Sequence, residues 1–339
     1  MGTQPGDRST AIEPQHTSDN LTSLQSHILA EESHYPGATG EFSWILSAIT
    51  LAGKTIANKV RRARIEDVLG DHGDQNSHGE QQQKLDVIAN EIIMRCLGDR
   101  ANIAVLASEE DENPVVLRNR DDGGRYCVLF DPLDGSSNLD VGVGVGTIFS
   151  ILRNDRRKPR EIPHHLQPGT RQIAAGYILY GSSVKFVLTT GNGVDMFVLD
   201  QSIGAFVLVK EDIQMPVGTK TYSVNEAYRD SFPAGYQKFL GHAHQNGYSS
   251  RYIGSMVADI HRTLLKGGVF MYPPTGAHGH GKLRLMYEAN PMAMIMEQAG
   301  GKAMAGSQRI LDIRPETLHQ RTSVIMGAAD QVDEVMKFL

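Results

Sequence analysis

The sequence predicts an α/β protein of α+β type, in which helices pack on two sheets and two lobes meet near residue 210. Three observations lead there. Apolar residues recur at helical spacing soon after residue 37. A run of short apolar stretches broken by Gly-Ser and Gly-Asn-Gly fills 174–209. Beyond Ile213 helix-like and strand-like segments alternate. With 339 residues, 40% of them hydrophobic, the chain can bury a sizeable core.

Residues 1–36 are polar and carry one short apolar patch, Leu21, Leu24, Ile28 and Leu29, which predicts a flexible arm ending in a small amphipathic segment. Phe42, Ile45, Leu46, Ile49, Ala52, Ile56 and Val60 predict a long helix, with Thr39 or Gly40 where an N-cap belongs. The stretch 70–83 collapses to Gly, Asp, His and Gln with nothing to bury, and predicts a loop of functional length. Leu85, Ile88, Ala89, Ile92, Ile93 and Cys96 share one side of a second helix that Gly98 stops. NIAVLAS (102–108), RYCVLF (125–130) and GTIFSIL (146–152) read as strands, and 174–209 as antiparallel hairpins. A helix at 256–266, a strand at 269–272, a helix at 291–299, strands near 302–305 and 323–327, and a helix at 331–339 follow. The arm (1–36) thus precedes an N-terminal lobe (37–212) and a C-terminal lobe (213–339).

A net charge of −6 without a basic stripe argues against nucleic acid as a partner and requires cations to be supplied locally for any anionic substrate. Cys96 and Cys127 are too few for a disulfide framework and read as reduced core thiols, consistent with a cytoplasmic location. No apolar run reaches the length of a membrane span, and the first forty residues lack a signal-peptide pattern.

The chemistry concentrates in FDPLDGSSN, residues 130–138. Asp131 and Asp134 end an apolar strand, and Pro132 is expected to keep that strand from running on, so that both carboxylates converge. Such a pair is unfavourable when buried unless a positive charge lies between its members. Gly135, Ser136 and Ser137 offer the N–H groups of an anion nest. Glu109 and Glu110 end the strand 102–108 in the same way, although alone they would read as a solvated turn. Oxygen ligands without a His or Cys cluster favour Mg²⁺ or Mn²⁺. His72, His78, His164, His165, His278 and His280 lie in polar loops and read as solvated.

DPLDGSS with the upstream Glu-Glu pair resembles the Mg²⁺-dependent, lithium-sensitive sugar and inositol phosphatases. LDVIAN, AAGYILYG, SVNEAY, RYIGSMVADIHRTL and GKLRLMYEANPMA narrow the resemblance to the class 1 fructose-1,6-bisphosphatases, from about Gly37 to the C-terminus. The resemblance implies a layered α/β/α/β/α sandwich, a homotetramer, and hydrolysis of the 1-phosphate of fructose 1,6-bisphosphate in gluconeogenesis or carbon fixation. A related sedoheptulose bisphosphatase, or a catalytically inactive nucleotide sensor, are the rival readings.

By the same resemblance, Glu109, Glu110, Asp131, the backbone oxygen of Leu133, Asp134 and Glu288 match ligands of two or more Mg²⁺ (or Mn²⁺) ions per subunit, and Asp86 with Glu110 the pair that orients and deprotonates the attacking water. Read alone, Asp86 is equally a helix N-terminal acid. Asp134, Gly135, Ser136 and Ser137 match the side of the substrate near the metals. Asn225, Tyr228, Arg251, Tyr252, Tyr272, Lys282 and Arg284 match the sugar and 6-phosphate anchors, Arg251 serving a neighbouring subunit. Each tyrosine alone reads as a core aromatic. Asn76 and Glu80 fall in the family's dynamic loop. Thr39, Gly40, Glu41, Ser43, Arg125, Tyr126 and Arg153 match an inhibitory AMP site, with Ser43 where Thr is usual and Arg125 where Lys is usual. No Cys lies in 153–170, so the thioredoxin-controlled insertion of the chloroplast form is absent.

Overall fold

The computed structural model describes residues 21–33, 40–75, 81–118, 123–154 and 165–339, with 33, 71–75 and 81–82 described by backbone alone. Helices α1 (Leu24–Ser33) and α2 (Glu41–Arg62) lead into strands β1 (Asp71–Gln75) and β2 (Gln81–Gln83), then α3 (Lys84–Gly98). Strands β3 (Ile103–Ser108), β4 (Val115–Val116), β5 (Tyr126–Asp134), β6 (Val145–Arg153), β7 (Gln172–Tyr180), β8 (Val184–Thr189), β9 (Asp195–Asp200) and β10 (Ala205–Lys210) form one eight-stranded sheet in the order β10-β9-β8-β7-β6-β5-β3-β4. Within it β3 and β5 are parallel, and from β5 to β10 the sheet is an antiparallel meander. The C-terminal part runs β11 (Thr221–Ser223), α4 (Ala234–Gln245), β12 (Ser249–Ser250), α5 (Met256–Lys266), β13 (Val269–Tyr272), β14 (Leu283–Arg284), α6 (Asn290–Gln298), β15 (Gly301–Ala305), β16 (Gln308–Arg309), β17 (Arg321–Thr322), β18 (Val324–Ala328) and α7 (Ala329–Met336). Its six-stranded sheet has the order β12-β11-β13-β18-β15-β16.

Successive side chains of a strand point to opposite faces, and this alternation builds five layers. Phe149 and Ile178 pack with Ile45, Leu46, Ile56 and Ile93 of α2 and α3, whereas their strand neighbours Ile148, Tyr177 and Leu179 pack on the other face against Val257, Ile260 and Leu264 of α5 and Met292 and Ile295 of α6. Phe270, Val324 and Met326 of the second sheet close that middle layer, while Val269, Met271 and Ile325 face outward onto Phe239 and Leu240 of α4 and Val332 and Val335 of α7. The architecture is the α/β/α/β/α sandwich that the resemblance implies.

Three segments differ from the sequence reading. The apolar patch expected at the end of a mobile arm is α1, whose Leu24 and Ile28 are buried in the first core while Leu21 and Leu29 stay exposed. The stretch read as the loop 70–83 contains the antiparallel pair β1 and β2 in its described part. Helix α4, unassigned from sequence, buries Tyr236, Phe239, Leu240 and Ala243 at helical spacing.

Besides its two leucine-type contacts, α1 is held by His27, whose Nε2 lies 2.9 Å from Asp195 Oδ2 on β9. The hydrogen bond to Asp195 raises the His27 pKa above 6.5, outweighing the opposing effect of burial. A raised folded-state value contributes stability that is complete below the unfolded pKa and is lost as pH rises through the folded one. His27→Gln is therefore expected to lower the melting temperature at about pH 6 and to have much less effect at about pH 8.5. Thermal melts of both proteins at the two pH values check this, and equal losses at both would exclude the ion pair as the anchor.

Candidate active site

Because β3 and β5 are parallel neighbours, their C-terminal ends lie at the same edge of the sheet. The ladder runs one residue past β3, where Glu109 N donates to Phe130 O at 3.0 Å, and Ser108 Oγ accepts from Glu110 N at 3.2 Å. On β5 the strand does not stop at Pro132 as the sequence suggested. It continues to Asp134 with a register shift, Asp131 opposite Ile148 and Asp134 opposite Gly146. Residues three apart on a regular strand point to opposite faces, and the extra residue of this bulge returns Asp134 to the side of Asp131. Thr147 Oγ1 donates to Pro132 O at 2.8 Å and Leu133 N donates to Asp131 Oδ1 at 2.9 Å, which fixes the bulge.

Glu288 arrives from a different element, the single π-helical turn Leu285–Ala289 that precedes α6. Oxygens of Asp131, Asp134 and Glu288, all buried, lie within 4.8 Å of one another. The Glu288 carboxylate accepts from Arg284 N, and the buried Arg284 places Nε 3.4 Å from Glu109 Oε1. Burial, and then Glu109, Asp134, Glu288 and Glu110, push the Asp131 carboxyl well above the ordinary carboxylate range. Burial likewise raises Asp134 to about 6, opposed by the N–H of Val257. This set of hard oxygen donors, with more negative charge than Arg284 can compensate, fits divalent cations of the magnesium type.

Asp86 sits in the first turn of α3, where its Oδ2 accepts from Gln83 N at 3.0 Å and from Ser136 Oγ at 3.1 Å. It is a helix-capping acid and a site carboxylate at once. Burial, followed by repulsion from Glu110, raises its pKa to about 7, within reach of a proton acceptor at neutral pH.

Helix α5 meets this group end-on. Val257 N donates to Asp134 Oδ2 at 2.7 Å, and Ser255 Oγ reaches the same oxygen at 3.5 Å. Gly135 makes the close approach possible: its φ is +79°, and an added Cβ would lie 2.6 Å from Ser255 Oγ. Gly135→Ala is expected to cost about 1–3 kcal/mol, measurable by urea denaturation, and a loss below a few tenths of a kcal/mol would show that the turn relaxes freely.

The cavity enclosed by these elements has a volume of about 400 Å³. Asp86, Glu109, Glu110, Asp131, Leu133, Asp134 and Glu288 line one part of it, with Gly135, Ser136 and Ser137 beside them; Tyr252, Tyr272, Lys282 and Arg284 also line it. Asn225 and Tyr228 line a second cavity of about 360 Å³, which shares Tyr272 and Lys282 with the first. The two cavities adjoin at Tyr272 and Lys282, with the carboxylates gathered in the first. Arg251 lines neither cavity; it is exposed and donates to Ser250 O at 2.7 Å. Asp259, Gly254 and Met256, which sequence reasoning did not single out, also line the larger cavity.

The residues matched to a nucleotide site also gather, at the start of α2. Gly40 is the N-cap, Arg125 Nη1 lies 3.2 Å from Glu41 Oε2, and the Arg153 guanidinium stands 6.0 Å from the centre of the Tyr126 ring. Ser43 N donates at 3.3 Å to Glu32 Oε1 of α1, so a carboxylate of the chain itself lies at this helix end. Thr39, Asn76 and Glu80 lie outside the described residues. His278 and His280 are exposed as expected, whereas His165 is buried.

A family model described as fructose-1-6-bisphosphatase, N-terminal domain, matches residues 22–211, and its C-terminal counterpart matches 215–339. The chain is 48% identical to the class 1 fructose-1,6-bisphosphatase of Chlorobium chlorochromatii, over 92% of this chain and 96% of that one. It is 49% identical to that of Persephonella marina, over 93% and 98%. Among solved structures, the holo form of Leishmania major fructose-1,6-bisphosphatase superposes with a TM-score of 0.89 at 41% identity, covering 94% of this chain and 99% of that one.

Proposed function

The chain belongs to the fructose-1,6-bisphosphatase family, and from that premise we propose that its groove hydrolyses the 1-phosphate of fructose 1,6-bisphosphate to give fructose 6-phosphate and phosphate. The observation that carries this reading is the convergence of Asp131, Asp134 and Glu288 beside the Gly135–Ser137 turn, in a cavity that shares Tyr272 and Lys282 with a second one. One end suits a phosphate held by cations, the other a phosphate held by side chains.

Glu109, Glu110, Asp131, Leu133 O, Asp134 and Glu288 would hold two or more Mg²⁺ ions. Bound there, the ions supply charge neutralisation for the phosphoryl group and acidify water. The chain's own contribution begins with Asp86, whose buried carboxylate, held by Gln83 N and Ser136 Oγ, accepts the proton of the attacking water. Ser136 Oγ orients that carboxylate, and its burial favours the protonated form once the proton is taken up. The N–H groups of the Gly135–Ser137 turn face the reacting phosphate, while Lys282, Tyr272, Tyr252, Asn225 and Tyr228 bind the 6-phosphate and sugar. Arg251, outside both cavities of its own subunit, completes the site of a neighbour in a homotetramer. AMP inhibits by binding at the start of α2 between Arg125 and Arg153, displacing Glu32 from Ser43 N.

Among the described residues no helix is long and apolar enough to cross a membrane. Cys96 and Cys127 are free thiols, which a reducing, cytoplasmic location would keep so. Product analysis tests the assignment. Incubation of fructose 1,6-bisphosphate with enzyme and Mg²⁺ is expected to yield fructose 6-phosphate, with inositol 1-phosphate cleaved at least about 100-fold less efficiently. Accumulation of fructose 1-phosphate, or preference for the inositol ester, would overturn it.

A further inference from the structure

Asp259 is almost completely buried on α5, one turn inside a helix whose first residues face the acidic end of the groove. Three donors converge on its carboxylate. Oδ1 accepts from Ser223 Oγ at 2.6 Å and from Ile253 N at 3.0 Å, and Oδ2 accepts from Gly254 N at 3.0 Å. A carboxylate offers acceptor sites and no donor, which matches these three donors. An amide in the same place would turn an NH₂ group toward N–H groups.

The segments tied together here are those that present the distal anchors. Ser223 ends β11 two residues before Asn225, and Ile253 follows Tyr252 directly. The same 253–255 segment is joined to the acidic end, since Asn138 Nδ2 donates to Gly254 O at 3.0 Å and Ser255 caps the helix that donates Val257 N to Asp134. Asp259 is the one carboxylate that bonds directly to both the β11 end and the 253–255 segment among the described residues.

We infer that Asp259 is a positioning residue that sets the distance between the distal anchors Asn225 and Tyr252 and the reacting end at Asp134 and Gly135, and so confers preference for a sugar phosphate bearing a second phosphate. The inference rests on the function proposed above. Its effect is exerted through backbone and neighbouring side chains, so it acts on the gain that the distal phosphate provides.

The test compares fructose 1,6-bisphosphate with fructose 1-phosphate, which lacks the distal group, in the wild-type enzyme, Asp259→Asn and Ser223→Ala, all with Mg²⁺. The ratio of kcat/KM for the two substrates is expected to fall by about tenfold or more in Asp259→Asn, chiefly through KM of the bisphosphate, and by about threefold in Ser223→Ala. Ratios equal to that of the wild type, with both substrates slowed alike, would overturn the inference and leave Asp259 a purely structural residue. If Asp259→Asn does not fold, the ratio in Ser223→Ala decides alone. Failure of the wild-type enzyme to hydrolyse the bisphosphate would instead overturn the functional reading on which the inference rests.

Discussion

Asp131→Asn is expected to lower kcat/KM for fructose 1,6-bisphosphate by about 10³-fold or more while raising the melting temperature of the metal-free protein. The two effects have one cause. Asp131 is buried among Glu109, Asp134, Glu288 and Glu110, and each of them raises the cost of ionising it. Without cations the charged form is a liability to the fold; with cations it is a ligand. An isosteric amide removes the repulsion and keeps the shape of the bulge, but supplies a neutral, weaker donor for a hard cation. Steady-state kinetics and thermal melts in chelator measure both. Turnover within a few-fold of wild type would remove Asp131 from the cation site, and a lower melting temperature in chelator would show that repulsion does not dominate there.

Arg284→Met should destabilise the metal-free protein by about 1–3 kcal/mol, since it leaves the partly buried Glu109 carboxylate without its counter-charge. The guanidinium is 2% exposed, 3.4 Å from Glu109, and its residue's backbone N–H also serves Glu288. It is the internal cation of the acidic end. Methionine fills much of the volume but supplies no charge, so the loss is electrostatic rather than a cavity effect. Mg²⁺ is expected to recover part of the stability, because added cations take over the neutralisation. Urea denaturation with Mg²⁺ and with chelator distinguishes this from loss of packing, which Mg²⁺ would not repair.

Much of the fold was legible because its elements repeat with a physical period. Helix α2 shows Ile45, Leu46, Ile49, Ala52 and Ile56 on one buried face, and the β7 to β10 meander is punctuated by glycines at its turns. Helix α4 was not legible, since glycine and histidine dilute its buried Tyr236, Phe239 and Leu240, and a proline precedes it. In α1 only Leu24 and Ile28 are buried, too few to define a period. At the site, the carboxylates were visible in DPLDGSS and the Glu-Glu pair, but the way they converge was not. The sequence suggested a strand stopped by Pro132, whereas a bulge carries the strand on and reverses the facing of Asp134. Asp259 left no signature at all. On an amphipathic helix an acid reads as solvent-facing, and the backbone N–H groups of Ile253 and Gly254 that make it central carry no side-chain signal.

On this reading the cluster of carboxylates works with divalent cations on a sugar bisphosphate. Phosphate release from fructose 1,6-bisphosphate by the purified protein, followed with Mg²⁺ and again with excess chelator, tests it most directly. One equivalent of phosphate per substrate is expected with Mg²⁺ and none above background in chelator. Release at the same rate in chelator, or no release with Mg²⁺ from folded protein, would contradict it.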